Sequence, residues 1–176
     1  MAKDKVEEEY EEKDLRTHIY ETTDTYAGSD QMIKGTLAIM KEGEKKITLS
    51  ETEYIPVIYK MFDEIIVNAR DQRERLKDRK GSVQLTEIKV TIDKDTGVVS
   101  VYNDGDGIKI EKHSSGLYNP NLIFGRLLTS GNYKKNEKRT VGGKNGYGAK
   151  IVNIFSTSFD VETGDRVTKQ KYFQHF

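Results

Sequence analysis

The sequence contains no cysteine. This absence excludes disulfide bonds, thiolate metal sites and a cysteine nucleophile, and it is consistent with a reducing compartment. Long apolar runs are missing as well, since no stretch approaches the ~20 residues that a transmembrane helix requires. The first residues, Met-Ala-Lys-Asp-Lys, lack the apolar region of a signal peptide. We therefore expect an intracellular chain without a membrane partner.

Histidine is scarce, and neither sign of charge dominates. The three histidines, His18, His113 and His175, are far apart and no His-Glu-x-x-His run occurs, so a zinc hydrolase is not expected. Lys and Arg number 29 and Asp and Glu number 29, which gives a formal net charge of zero. The overall charge therefore does not indicate a nucleic-acid or membrane partner, and any binding to DNA must be local or lie elsewhere.

The length of 176 residues allows one domain of ordinary size. Residues 1–15 are mostly charged, and such a composition cannot bury enough apolar surface to become ordered alone. We therefore predict a flexible arm or a frayed helix over residues 1–15 and a folded domain over residues 16–176.

Apolar periodicity predicts helices and antiparallel strands in the folded part. Ser50 and Glu53 have the spacing of a capping box, so we predict one helix of roughly seven turns that begins at Ser50 and is stopped by Gly81. Asn119 and Pro120 can cap and open a shorter helix that runs through Ile123, Phe124, Leu127 and Leu128. The other predicted elements are a helix at 149–155, a polar loop at 24–29, strands at 34–40, 88–92, 99–101, 159–163 and 167–173, and a turn at 164–165. The predicted class is α+β, with helices packed on a mostly antiparallel mixed sheet.

Three polar residues share one face of the predicted long helix. Glu64, Asn68 and Asp71 are spaced four and three apart, and Val57 and Met61 on the same face are apolar. One interpretation is a solvated charged stripe. The other is functional, because carboxylates and amides are rarely buried without partners, and a carboxylate can deprotonate water beside an amide oxygen that ligates Mg²⁺.

The segment Asn-Asp-Gly-Asp-Gly at residues 103–107 follows the second strand of a predicted hairpin. Its alternating glycines either make a tight turn or let the backbone approach a flat ligand closely. An EF-hand calcium loop is excluded, because the alignment places Tyr102 at the first ligand position and His113 at the last.

A glycine-rich run occupies residues 142–150, with four glycines in seven residues before a predicted helix. Freed backbone amides, a helix N-terminus and two lysines suit an anion, so a phosphate cradle is one interpretation and a flexible loop is the other. The run is not a Walker A loop, because Asn145 follows Gly-Lys. It does not match G-x-G-x-x-G either, because Ile151 stands at the third glycine position.

Taken in order, these elements resemble the nucleotide motifs of the GHKL ATPases, and they are most similar to eukaryotic-type DNA topoisomerase II (type IIA). The resemblance is carried by Phe-Asp-Glu-Ile-Ile-Val-Asn at 62–68, Asn-Pro-Asn-Leu-Ile-Phe-Gly-Arg-Leu-Leu-Thr-Ser-Gly-Asn-Tyr at 119–133, the segment 142–157, and Asp-Thr-Tyr-Ala-Gly-Ser at 24–29. It covers most of the chain. It implies the GHKL (Bergerat) ATPase fold, with ATP and Mg²⁺ as ligands.

The resemblance also implies roles for single residues. Glu64 would be the general base that activates water for attack on the γ-phosphate, and Asn68 would hold the Mg²⁺. Asn103 would accept a hydrogen bond from the adenine amino group, with Asp104 as the fallback acceptor. Tyr26 resembles the arm tyrosine that reaches into the partner subunit's pocket when ATP closes the dimer. An ordinary packed loop tyrosine is the alternative.

The remaining ATP contacts implied by the resemblance form two groups. Ser130, Gly131 and Asn132 would contact ribose and phosphate. The lid over the triphosphate would consist of Gly143, Lys144, Asn145, Gly146, Tyr147, Gly148, Ala149 and Lys150.

Several positions differ from the family pattern, and they are Thr22, Thr23, Arg70, Gln72 and Gly131. They weaken the expected docking of the arm and the finer ribose contacts, but they leave the base and the lid intact. The family's ATPase region continues with further sheet and with a lysine that touches the γ-phosphate. We therefore expect a partial domain, incomplete at its C-terminus, that binds ATP weakly and hydrolyses it poorly.

The function implied by the resemblance is the ATP-driven dimer clamp of a type II topoisomerase, an enzyme that changes DNA topology by strand passage. A homodimer and double-stranded DNA would be partners of the full-length enzyme, in a nucleus or a viral replication compartment. No counterpart of the DNA-cleaving residues is present in this sequence. Two alternatives stay open: another GHKL ATPase of the chaperone or mismatch-repair type, and a non-catalytic nucleotide-binding or dimerisation module of the same fold.

Overall fold

Helices and two-stranded hairpins alternate along the chain. The computed structural model describes residues 12–77, 79–129 and 147–176. The elements are α1 (Leu15–Glu21), α2 (Thr23–Tyr26), β1 (Ile33–Ile39), β2 (Thr48–Tyr54), α3 (Pro56–Lys77), β3 (Ile88–Asp93), β4 (Val98–Asn103), α4 (Asn119–Gly125), α5 (Gly148–Phe155), β5 (Asp160–Asp165) and β6 (Gln170–His175). This content confirms the α+β class. None of the described helices combines the length and the apolar character that crossing a membrane requires.

Helix α1 begins at a capping aspartate. Asp14 Oδ1 accepts hydrogen bonds from the backbone N–H groups of Arg16 (2.9 Å) and Thr17 (3.2 Å), two donors that lack a partner within the helix. Ile19 on the inner face of α1 is fully buried. The following segment was predicted to be a polar loop, but its first part is the helical turn α2, closed by a 2.8 Å bond from Ala27 N to the carbonyl of Thr23. Residues 1–11 of the predicted arm lie outside the described residues.

The predicted start of the long helix is wrong. Ser50 and Glu53 lie in β2, where Ser50 pairs with Leu37 of β1 in an antiparallel hairpin. Capping-box spacing is a local signal, and here it is outweighed by the alternation of residues 48–54, in which every second side chain is partly buried. Helix α3 opens at Pro56 instead, because the fixed φ of proline suits the first helical turn. The strand predicted at 34–40 is confirmed as β1.

The hairpin predicted around 88–101 is confirmed as β3 and β4. Ile88 pairs with Asn103 and Asp93 pairs with Val98. Asp93 Oδ1 accepts bonds from the N–H groups of Asp95 (2.9 Å) and Thr96 (3.3 Å), which fixes the connecting turn.

The helix predicted at Asn119 is present, but it is shorter than expected. Helix α4 ends at Gly125, so Leu127 and Leu128 lie outside it, and Leu128 has a positive φ of 58°. The hydroxyl of Thr129 donates to the carbonyl of Leu122 at 2.7 Å and so occupies one of the acceptors at the end of the helix. Tyr118 rather than Asn119 holds the N-cap position, without a side-chain cap bond.

The last hairpin turns later than predicted. Gly164 and Asp165 belong to β5, and the chain reverses over residues 166–169. Asp165 Oδ1 accepts bonds from the N–H groups of Val167 (2.9 Å) and Thr168 (3.2 Å), and Lys169 has a φ of 55°. A glycine-aspartate pair can mark a turn, but here the aspartate side chain, rather than the glycine backbone, organises it.

The hydrophobic core joins the two longest of the described helices. Helix α3 packs against α5, and the buried residues Ala27, Val57 and Ile151 form one cluster. All strand pairings among the described residues are antiparallel, in three two-stranded sheets. The packing of α3 on α5 places the polar face of α3 beside the start of the helix that follows the glycine-rich run.

Candidate functional site

Glu64 lies at the junction of α3 and α5. Its side chain is only 20% exposed, and its Oε1 accepts an ion-paired hydrogen bond from Lys60 Nζ at 2.6 Å. A Cβ atom added at Gly148, the first residue of α5, would lie 1.9 Å from Glu64 Oε2. The second carboxylate oxygen therefore rests directly against the backbone at the start of α5.

Asn68 and Asp71 continue the same face of α3. Asn68 is half-buried, and its side chain forms no hydrogen bond with another described residue. Asp71 is fully buried, with Arg70 Nη1 at 3.6 Å from its Oδ1. This burial excludes the interpretation of the face as a solvated charged stripe.

Asn103 ends β4 and is half-buried. Asp104, the fallback adenine acceptor, is engaged within the protein. Its carboxylate accepts bonds from the N–H and hydroxyl of Thr86 and from the N–H of Glu87. These bonds, led by the Thr86 hydroxyl, lower the pKa of Asp104 from 3.8 to about 2. Asp104 thus holds the 86–87 segment in place. Asn103, at the end of β4, stays the candidate acceptor for the adenine amino group.

The two glycines of the 103–107 segment are explained by packing on protein atoms. A Cβ at Gly105 would lie 2.7 Å from Leu76 Cδ1, and one at Gly107 would lie 2.2 Å from the carbonyl oxygen of Gly164. Neither glycine has a positive φ, so a turn conformation is not the reason for glycine at these positions. The glycines allow this segment to lie tightly against α3 and β5.

Two residues for which the sequence predicted no role in the site, Gln72 and Arg166, hold the same segment in place. Gln72 Nε2 donates to the carbonyl of Asp106 at 2.8 Å, which ties the segment to α3. Arg166 donates from Nε to Asp106 Oδ1 at 3.2 Å and from Nη2 to the carbonyl of Gly81 at 2.6 Å. This contact lowers the pKa of Asp106 below its ordinary value. No local pattern signals these bonds, because they join residues far apart in the chain.

Lys150 is a buried cation on α5. It is 5% exposed, and its Nζ donates to the carbonyl of Thr129 at 2.5 Å. Desolvation lowers its pKa from 10.5 to about 8, since burial disfavours the charged ammonium. The contact brings together the described residues on either side of segment 130–146.

Tyr26 packs inside its own chain. Its ring lies 6.0 Å from that of Tyr147, centroid to centroid, and its hydroxyl is 3.1 Å from His18 Nδ1. It also borders the core cluster. This placement matches the alternative of a packed tyrosine, and a role in a partner subunit would require Tyr26 to leave these contacts.

The described part of the predicted site thus brings together Glu64, Gly148, Ala149 and Lys150, with Tyr147 beside Tyr26. Asn68 and Asn103 are described as well, whereas seven predicted ATP contacts lie outside the described residues: Ser130, Gly131, Asn132, Gly143, Lys144, Asn145 and Gly146. Lys60 was missed, although its position four residues before Glu64 is a helical pairing distance that the sequence displays.

A half-buried carboxylate that faces a glycine at a helix start, with a buried lysine two residues further along the helix, is an arrangement suited to binding a nucleotide. The chain belongs to the family of histidine kinase-, DNA gyrase B- and HSP90-like ATPases, which matches residues 54–172. It therefore has the ATP-binding fold of that family, and the GHKL fold implied by the motifs is confirmed.

Within this family the chain is similar to type II DNA topoisomerases. It is 44% identical over 176 residues to DNA topoisomerase 2 of Acanthamoeba polyphaga mimivirus, which is 97% of this chain and 14% of that protein. It is 45% identical over 172 residues to DNA topoisomerase 2 of Pisum sativum, which is 97% of this chain and 11% of that protein. The chain thus spans about a seventh or less of the length of these relatives.

The solved ATPase region of Saccharomyces cerevisiae topoisomerase II has the same fold. The TM-score is 0.89 at 39% identity, over 96% of this chain and 43% of the solved chain. These similarities confirm the expectation that the chain corresponds to the ATP-binding part of a type II topoisomerase.

Proposed function

We propose that the chain binds Mg²⁺-ATP in the cleft between α3, the end of β4 and the start of α5, and hydrolyses it with Glu64 as the general base. The observation that carries the proposal is the position of Glu64 Oε2 against Gly148, at the start of the helix that follows the glycine-rich run. A helix N-terminus attracts phosphate, so the carboxylate lies beside the position that we propose for the terminal phosphate.

The reaction follows from the groups in the cleft. A water molecule gives its proton to Glu64 while its oxygen attacks the γ-phosphorus, and the bond from that phosphorus to the ADP oxygen breaks. Gly143 and the lid residues through Lys150 surround the phosphates in this proposal, and Ser130, Gly131 and Asn132 contact ribose and phosphate. Asn103 accepts from the adenine amino group.

The chemistry of Asn68 fits a magnesium ligand. Its half-buried amide makes no hydrogen bond with another described residue, and it lies one helical turn after Glu64. Mg²⁺ in nucleotide sites usually takes one or two protein oxygens together with phosphates and water. When bound, the ion neutralises charge on the phosphates, and Asn68 would contribute its amide oxygen.

In the longer protein to which such a chain would belong, we propose an ATP-driven homodimer clamp that acts on double-stranded DNA. The support is the similarity to type II topoisomerases over nearly the whole of this chain. Tyr26, beside Tyr147 of the lid, is the residue that would couple the arm to the occupied pocket. Intracellular action in a nucleus or a viral replication compartment is part of the same proposal.

Glu64→Gln tests the base directly. We expect binding of a fluorescent ATP analogue to persist, whereas slow single-turnover hydrolysis of ATP falls at least about 100-fold, because general-base catalysis typically contributes that much. Glu53→Gln is the matched control, since Glu53 is a 57% exposed carboxylate of the β1–β2 hairpin. Turnover that is unchanged in Glu64→Gln would contradict the proposal and would favour the non-catalytic nucleotide-binding module.

A further inference from the structure

Lys60 contacts the carboxylate of the proposed base. It lies on α3 one turn before Glu64, with its Nζ 2.6 Å from Glu64 Oε1 and 3.3 Å from Asp63 Oδ2. The first distance is that of a charge-assisted hydrogen bond, and the second is longer. Lys60 is therefore directed mainly at Glu64.

An ordinary surface ion pair does not account for this contact. When lysine precedes glutamate by four residues on a helix, the order is the less stabilising one, so helix stability gives little reason for the pair. The glutamate is also only 20% exposed, whereas Lys60 is 40% exposed. A carboxylate that has lost most of its water needs a partner, and Lys60 supplies it.

The two oxygens of Glu64 have different surroundings. Oε1 is held by Lys60, and Oε2 faces the backbone of Gly148 at the start of α5. Rotation of the carboxyl group would break the contact with Lys60. The lysine therefore fixes the orientation of the carboxylate plane, so that the other oxygen is turned toward the proposed phosphate position.

We propose that Lys60 is a positioning residue for ATP hydrolysis, which holds Glu64 Oε1 so that Oε2 is oriented to accept the proton of the attacking water. The inference rests on the proposed function of Glu64. The raised pKa of Lys60 supports it, since the hydrogen bond that Lys60 donates to Glu64 is the largest cause of the shift and keeps the lysine protonated.

Lys60→Met and Lys60→Arg in the 176-residue chain test the proposal by single-turnover hydrolysis and binding of an ATP analogue. In Lys60→Met we expect the rate constant for hydrolysis to fall roughly 10- to 100-fold, because misplacement of a catalytic group by about 1 Å has such an effect. Nucleotide affinity should not change, and the melting temperature should fall only slightly, because the partly exposed Glu64 can regain some water when it loses its partner. Lys60→Arg keeps a charged donor and should retain most of the rate.

Lys34→Met is the matched control, because Lys34 is 75% exposed and pairs with Glu53 in the β1–β2 hairpin. A rate that depends on Glu64 but not on Lys60 overturns this inference and leaves the proposed function intact. Weaker binding in Lys60→Met at an unchanged rate also overturns it, because Lys60 would then bind nucleotide instead. A rate that does not depend on Glu64 contradicts the proposed function. The inference about Lys60 is then contradicted as well, because it rests on that function.

Discussion

Lys150 is a side chain whose charge should depend on what binds beside it. Burial lowers its pKa from 10.5 to about 8, so near pH 8 a large share of the unliganded chain carries a neutral amine at this position. A phosphate group favours the ammonium and raises the pKa again. If Lys150 contacts ATP phosphates, we expect nucleotide binding near pH 8 to take up protons, whereas binding at about pH 6, where the lysine is already protonated, should not.

Titration calorimetry in buffers of different ionisation enthalpy measures this proton uptake. Lys150→Met should weaken binding and remove the buffer dependence. Lys34→Met is the control, because Lys34 is an exposed lysine of the β1–β2 hairpin, and this variant should keep both the affinity and the buffer dependence. Buffer-dependent uptake of the same size in Lys150→Met would assign the protons to another group.

Gly148 tests the geometry around the base. A Cβ at this position would lie 1.9 Å from Glu64 Oε2 and 2.7 Å from its Cδ, so alanine must push the carboxylate aside. The displaced group is a flexible side chain, and alanine favours helices, so the fold should tolerate the change. We expect Gly148→Ala to lower the hydrolysis rate roughly 100-fold with little change in the melting temperature. Gly164→Ala, with no atom within 4 Å of the added Cβ, is the control in the same assays.

At the scale of elements, periodic patterns predicted much of the architecture. The β3–β4 hairpin, β1 and α5 were all visible in the alternation or spacing of apolar residues. Strand β2 was missed because Ser50 and Glu53 imitate a helix cap, and only pairing with β1 reveals the strand. The turn between β5 and β6 was predicted at Gly164, which is too early in the chain. It lies after Asp165, because the side chain of that residue accepts hydrogen bonds from the backbone of the following loop.

The contact between the 103–107 segment and β5 is a second test at this scale. A Cβ at Gly107 would lie 2.2 Å from the Gly164 carbonyl oxygen, and backbone cannot rotate away as a side chain can. Overpacking of this kind costs about 1–3 kcal/mol. For a chain of this size, each kcal/mol lowers the melting temperature by about 2–4 °C. Gly107→Ala should therefore melt about 2–12 °C lower by these two relations, as followed by circular dichroism.

The control for this packing is Gly164→Ala, on the other side of the same contact. Its added Cβ meets open space, so its melting temperature should stay close to that of the original chain. Equal losses in the two variants would mean that the hairpin backbone, rather than the close approach of Gly107, limits stability.

At the scale of the whole molecule, part of the candidate site could be predicted and part could not. Glu64 and Asn68 share a helix face, and that spacing alone placed them together. The contact of Glu64 with Gly148 depends on how α3 packs against α5, which no local pattern encodes. The engagement of Asp104 by Thr86 likewise depends on how distant backbone segments meet.

The proposed ligand should stabilise the whole chain, because its pocket draws on α3, β4 and α5. A ligand at 100 times its Kd stabilises the folded state by about 2.7 kcal/mol. For a chain of this length, that corresponds to a rise in melting temperature of roughly 5–10 °C. We expect this rise with a non-hydrolysable ATP analogue and Mg²⁺, and a smaller one when EDTA removes the ion. Glu64→Gln should keep the rise, since the base is not needed for binding, whereas Asn68→Ala should show the same small rise with and without Mg²⁺. A rise in Asn68→Ala that still depends on Mg²⁺ would mean that other groups hold the ion.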